Sequence, residues 1–151
     1  MPRQHKAIIF DWGRTLYDRD KETLFSDTKA VLDHLSSRYK LAIVSLAPDQ
    51  EVAARMGVLR SHSIEQLFSS IRFTANDKDA SYRATLNDLD LRGDEVVIVD
   101  DRVCRGIKWG NENGAQTIWF QNGKFSNELP DDHTGSPMHV IHSLTELLHL
   151  L

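Results

Sequence analysis

A single cysteine, Cys104, is the chain's only thiol, which excludes an internal disulfide and any zinc site built on cysteine pairs. It lies three residues after Asp101 and is expected as a small buried filler, not a nucleophile. No apolar run approaches the roughly 18 residues of a membrane span, and no apolar leader opens the sequence, so no membrane partner and a cytoplasmic location are expected. Positive charge is not in excess either. The net charge is −4 and the basic residues are scattered along the sequence, which argues against nucleic acid as the ligand. The histidines show no His-Glu-x-x-His spacing, so His139, His142 and His149 receive no metal role. Repeats, low-complexity tracts and linkers are missing too, and 151 residues suffice for one core; a single domain over residues 1–151 is expected.

What is present is an alternation of strand-like and helix-like stretches. Ala7-Ile8-Ile9-Phe10 is a continuous apolar run that ends in Asp11, with Gly13 bending the chain and Thr15 following. Val96-Val97-Ile98-Val99 is a second such run, ending in the adjacent carboxylates Asp100 and Asp101. Two neighbouring carboxylates repel unless a cation or basic group lies between them. Between these runs, Leu24, Thr28, Val31, Leu32 and Leu35 recur at helical spacing, and Leu41 to Ser45 reads as another strand. Pro48 suits the start of the next helix and Gly57 its end. A short helical turn around Ile64, Leu67 and Phe68 precedes a short strand at Ile71 to Thr74, and a helix through Tyr82, Leu86 and Leu89 follows the polar turn at Asn76 to Asp79. Beyond Asp101 the reading is a helix from Val103 to Asn113 ended by Gly114, a strand from Ala115 to Phe120, a polar loop, a short strand at Val140-Ile141 and a helix opened by the capping box Ser143-Leu144-Thr145-Glu146. The expected fold class is α/β: a doubly wound, Rossmann-like parallel sheet with helices on both faces. No Gly-x-Gly-x-x-Gly follows the first strand, which disfavours dinucleotide binding.

Strand ends and the turns after them therefore present Asp11 and Thr15, then Ser45, then Lys78, then Asp100 with Asp101. Each has a bland explanation taken alone: Ser45 or the aspartates as helix caps, Lys78 as a solvated turn residue. In type and in order, however, the set resembles the haloacid dehalogenase superfamily of phosphohydrolases. That family has an aspartate nucleophile in Asp-x-Asp-x-Thr after its first strand, a Ser or Thr after the second, a Lys later and an acidic pair after the fourth. A receiver-type signalling domain uses similar residues, but its acidic pair follows the first strand.

The resemblance implies a Mg²⁺-dependent phosphohydrolase working through an aspartyl-phosphate on Asp11. It makes Asp11 and Lys78 catalytic, gives Thr15, Ser45, Lys78 and Arg14 to the phosphate, and assigns the metal to Asp11, the Gly13 carbonyl, Asp100 and Asp101. The first motif is degenerate, because Gly13 stands where the family's phosphatases carry the aspartate that protonates the leaving group. Gly106 likewise replaces a later acid of some relatives, with Asp100 in a slot usually held by glycine. About thirty residues separate Thr15 from Ser45, and about as many separate Ser45 from Lys78, so neither usual insertion point holds a cap domain. Asp18 is a conceivable substitute acid, although a turn role suits it better. A small phosphorylated substrate or a phosphorylated protein is the expected partner, with a second subunit covering the open site. The competing expectation is a weakened relative that binds Mg²⁺ and a phosphorylated ligand or protein without efficient turnover.

Overall fold

The computed structural model describes residues 4–151; the first three residues, part of the domain expected over 1–151, lie outside the described residues. Six strands form one parallel sheet: β1 (Ala7–Phe10), β4 (Lys40–Leu46), β5 (Phe68–Thr74), β6 (Val96–Asp100), β7 (Gln116–Phe120) and β8 (His139–Ile141). Their spatial order is β5-β4-β1-β6-β7-β8. Every residue of β1 and β6 is buried, as strands covered on both faces require.

The two faces have separate cores, set by the alternation of side chains along each strand. Ile8, Phe10, Val97 and Val99 point to one side, where they meet Val31, Leu32 and Leu35 of α1 (Thr28–Ser36), Leu59 of α2 (Asp49–Ser61) and Leu147 of α5 (Leu147–Leu150). Ala7, Ile9, Val96 and Ile98 point to the other, against Tyr82 and Leu89 of α3 (Lys78–Leu89) and Trp109 of α4 (Lys108–Glu112). This is the doubly wound arrangement expected from the alternation of strands and helices. Between β1 and α1 lies a small antiparallel hairpin, β2 (Tyr17–Asp18) and β3 (Thr23–Leu24).

Several local expectations are corrected. Leu24 pairs with Tyr17 in the hairpin, and the helix begins only at Thr28, whose hydroxyl donates to the Leu16 carbonyl. Gly57 does not end its helix; α2 runs through it to Ser61. The strand expected at Ile71 to Thr74 begins earlier, at Phe68. The helix expected from Val103 opens as a wide π turn over Val103–Ile107, and the C-terminal one as a 3₁₀ turn over Leu144–Glu146 behind the expected capping box. Cys104 is exposed on that π turn, beside Arg102 and Glu128, and fills no core. Neither connection flanking β4 holds an inserted domain: the first carries only the hairpin and α1, the second α2, a 3₁₀ turn and β5.

Candidate active site

In a sheet wound both ways from β1, the crevice opens where the chain changes direction, at the carboxyl ends of β1 and its neighbour β6. The parallel register pairs Phe10 with Val99 and with Ile43, and the Asp11 amide donates to the Val99 carbonyl at 3.0 Å. Asp11 therefore emerges level with Asp100, and Ser45 near the end of β4. Beyond Asp11 the chain folds tightly: the amides of Thr15, Leu16 and Tyr17 all donate to the Trp12 carbonyl, and the Trp12 ring stacks on Tyr17 at 5.3 Å. Arg14 is held there at φ 63°, a left-handed conformation costly for a side chain larger than glycine's. Its amide donates to the Tyr17 carbonyl, and its own carbonyl accepts from Asn122.

Lys78 is the first residue of α3, whose amino end Asp77 caps by accepting from the Ala80 amide. A cation is disfavoured at a helix amino end. Two carboxylates offset this: Lys78 Nζ lies 2.6 Å from Asp100 Oδ2 and 3.4 Å from Asp11 Oδ1, with all three side chains buried. Asp100 is satisfied on both oxygens, since Oδ1 accepts from the Arg102 amide and Oδ2 also accepts from the Gly106 amide. Gly106 has no room for the later acid of some relatives: a Cβ there would stand 2.4 Å from Asp100 Oδ2 and 2.7 Å from the Tyr82 hydroxyl. Asp100 acts as the partner that fixes Lys78.

Asp101 is different. Its backbone carbonyl accepts from Trp119 Nε1, but its carboxylate Oδ1 is buried with no hydrogen-bond partner. Asp11, Asp100 and Asp101 each offer one oxygen within 4.8 Å of the others. Burial, reinforced by the charges of Asp100 and Asp11, pushes the Asp101 carboxyl up to about 10. Asp100 is also raised, by burial first and then by Asp11, against the opposing pull of Lys78. Asp11 is pulled the other way. Burial would raise it, but Lys78, Ser45, Asp101 and the Trp12 amide together hold it below the ordinary carboxylate range. An orphaned, buried carboxylate oxygen beside an ionised carboxylate fits a hard divalent cation with oxygen ligands.

These groups floor a cavity of about 270 Å³ lined by Asp11, Gly13, Arg14, Ser45 and Asp101 together with Arg19, Arg55, Arg102, Arg105, Lys124 and Phe125. Of the residues singled out in the sequence, Thr15, Lys78 and Asp100 lie behind this surface instead of on it. Thr15 is fully buried and its hydroxyl has no partner among the described residues. Asp18 makes a turn, its Oδ1 accepting from the Asp20 and Lys21 amides, and does not line the cavity. The cationic rim is what sequence reasoning missed. Arg102 and Arg105, one helical turn apart after the acidic pair, offered a weak signal; Arg19, Arg55 and Lys124 offered none.

Comparison with known proteins agrees with this geometry. The family described as HAD-hydrolase-like matches residues 78–147, the stretch holding Lys78, Asp100 and Asp101. No curated protein matches the chain. Among solved structures, an uncharacterized protein from Listeria monocytogenes serotype 4b is 26% identical with a TM-score of 0.73, over 96% of this chain and 97% of that one. YfnB of Bacillus subtilis, described as a HAD-hydrolase and solved bound to magnesium, is 13% identical with a TM-score of 0.79, covering 99% of both chains. A protein of Clostridium difficile described as a phosphatase reaches a TM-score of 0.83 at 15% identity, again over 99% of both chains. The chain is thus similar to HAD-like hydrolases over residues 78–147 and shares the fold of these structures across the described residues, with no domain inserted in either connection flanking β4.

Proposed function

We propose that the protein is a Mg²⁺-dependent phosphohydrolase that works through an aspartyl-phosphate on Asp11. The observation that carries the reading is the Asp11 carboxylate at the base of a cationic cavity, paired with Lys78 beneath and with the orphaned Asp101 oxygen beside it. A carboxylate held below its ordinary range is available as a nucleophile at neutral pH. Asp11 and Asp101 would hold the metal, with the Gly13 carbonyl added by resemblance. When bound, Mg²⁺ offsets the repulsion between the incoming phosphoryl anion and the carboxylates. Ser45 donates to a phosphoryl oxygen from the end of β4. Lys78, fixed by Asp100, keeps Asp11 ionised and adds positive charge where negative charge gathers during transfer. Arg14, at the cavity wall, supplies further donors to the phosphoryl oxygens.

The test is Mg²⁺-dependent release of phosphate from an activated aryl phosphate, whose leaving group needs little protonation. Wild type is expected to release phosphate only with the metal, and Asp11→Asn to lose at least about 10³-fold, the scale of removing a group on which covalent catalysis depends. Undiminished release by Asp11→Asn would remove Asp11 as the nucleophile.

A further inference from the structure

Two independent features of the cavity bear on the bond that is cleaved. The first is the want of an acid. Among the described residues, the only carboxylates lining the cavity are Asp11 and Asp101, the nucleophile and a cation ligand on the reading above. Asp18 is tied into its turn, and Gly13 offers none. An alkoxide leaving group therefore has no carboxylic acid to protonate it.

The second feature is the charge of the wall. Six cationic side chains line the cavity of a protein whose net charge is −4. Three are neutralised within the fold: Arg14 by Asp20, Arg55 by Glu51 and Arg102 by Glu128. Arg19, Arg105 and Lys124 have no ion pair among the described residues, although Arg105 is half-buried. Arg19 reaches over the place of the missing acid, since a Cβ on Gly13 would lie 3.0 Å from Arg19 Cδ and 3.6 Å from one of its guanidinium nitrogens. A cation stands where a proton donor would act.

We propose that the substrate is a phosphoric anhydride, in which the transferred phosphoryl group sits on an oxygen that departs as an anion, and that Arg19, Arg105 and Lys124 bind that anionic leaving group. The proposal rests on Asp11 as nucleophile. An Asp11 carboxylate oxygen forms the new bond to phosphorus while the bridging P–O bond breaks. The electron pair leaves on the bridging oxygen, and no proton is required. Water then attacks the phosphorus of the aspartyl-phosphate, its proton passes to the phosphate released, and the carboxylate is restored. Guanidinium forks match the paired oxygens of a phosphate or carboxylate leaving group.

The leaving group can be a phosphate or a carboxylate, and inorganic pyrophosphate and acetyl phosphate distinguish them. Measured as kcat/KM with Mg²⁺, one or both are expected to exceed glycerol 3-phosphate by at least about 10²-fold, the scale of missing general-acid help. Whichever leads identifies the leaving group. Arg19→Gln and Arg105→Gln, which break no ion pair among the described residues, should each lower turnover of the leading anhydride by about tenfold and that of 4-nitrophenyl phosphate by less, as loss of one charged hydrogen bond implies. Glycerol 3-phosphate turned over as fast as both anhydrides, or variants that slow all substrates alike, would overturn the proposal. A binding arm separates this from the nucleophile assignment: imidodiphosphate, which resists cleavage, should bind wild type more tightly than orthophosphate by calorimetry and lose that advantage in Arg105→Gln. If neither the anhydrides nor 4-nitrophenyl phosphate is hydrolysed, the function of Asp11 falls while this preference still stands; equal binding of the two anions would overturn the preference itself.

Discussion

Gly13 and Arg19 share one small volume, and that sets what a change at either does. The space above Gly13 is filled by the far end of a flexible, exposed side chain and not by backbone, so a residue with a Cβ fits once Arg19 swings away. Gly13 has no positive φ to forbid it. Gly13→Asp is therefore expected to fold and to supply the missing acid, raising kcat for glycerol 3-phosphate by about 10²-fold while lowering any advantage of anhydrides, because it displaces Arg19. Steady-state kinetics on both substrate types read the exchange. An unchanged rate on the alkyl ester would mean that the leaving group departs on another side of the cavity. Gly106 is the opposite case. Its amide holds Asp100 and two side chains press on it, so an acid there would break the Lys78 anchor before adding any ligand.

Among the elements, the legible ones were those whose pattern has one reading. β1 and β6 are apolar on both faces because both faces are covered, and each ends in a carboxylate at the crevice. Leu24 misled because it falls four residues before Thr28 and so fits a helical stripe, whereas its side chain serves the hairpin over Trp12 and Tyr17. Gly57 misled because glycine after a helical run usually marks its end. Here α2 continues past it, and a Cβ at that point would meet nothing within 4 Å. Gly57→Ala should therefore stabilise the protein by about 0.5–1 kcal/mol, by restricting the unfolded chain and improving helix propensity. Thermal denaturation is expected to shift upward by about 1–4 °C. A downward shift would mean that α2 needs the freedom of that glycine, for instance to move Arg55 over the cavity.

Across the whole molecule, the site joins residues from Asp11 to Phe125, and this is why its rim was not legible. The acidic floor comes from strand ends, which announce themselves as apolar runs, whereas the arginines come from the turn after β1, the hairpin, α2 and the segment after β6, which share no sequence pattern. A net charge of −4 thus conceals a cationic mouth over an acidic floor. That floor links metal, proton and stability. Without a cation, burial and then the charges of Asp100 and Asp11 keep the Asp101 proton on up to about pH 10, whereas the unfolded chain loses it in the ordinary carboxylate range. The folded state then binds the extra proton, so the stability Asp101 contributes is complete at acid pH and falls as pH rises towards about 10. Asp11, lowered by its partners against the effect of burial, has the opposite sign and acts only at the acid end. A divalent cation relieves the same repulsion and displaces the proton, so Mg²⁺ should stabilise the protein more at about pH 8 than at about pH 6. At a concentration 100-fold above its Kd, the stabilisation is about 2.7 kcal/mol, which raises Tm by about 5–10 °C. Scanning calorimetry at the two pH values with and without Mg²⁺ measures the difference. Asp101→Asn should remove most of the metal increment together with its pH dependence, because the amide has neither a charge to offer the cation nor a proton to yield. An increment equal at both pH values would show that the cation binds without displacing the Asp101 proton.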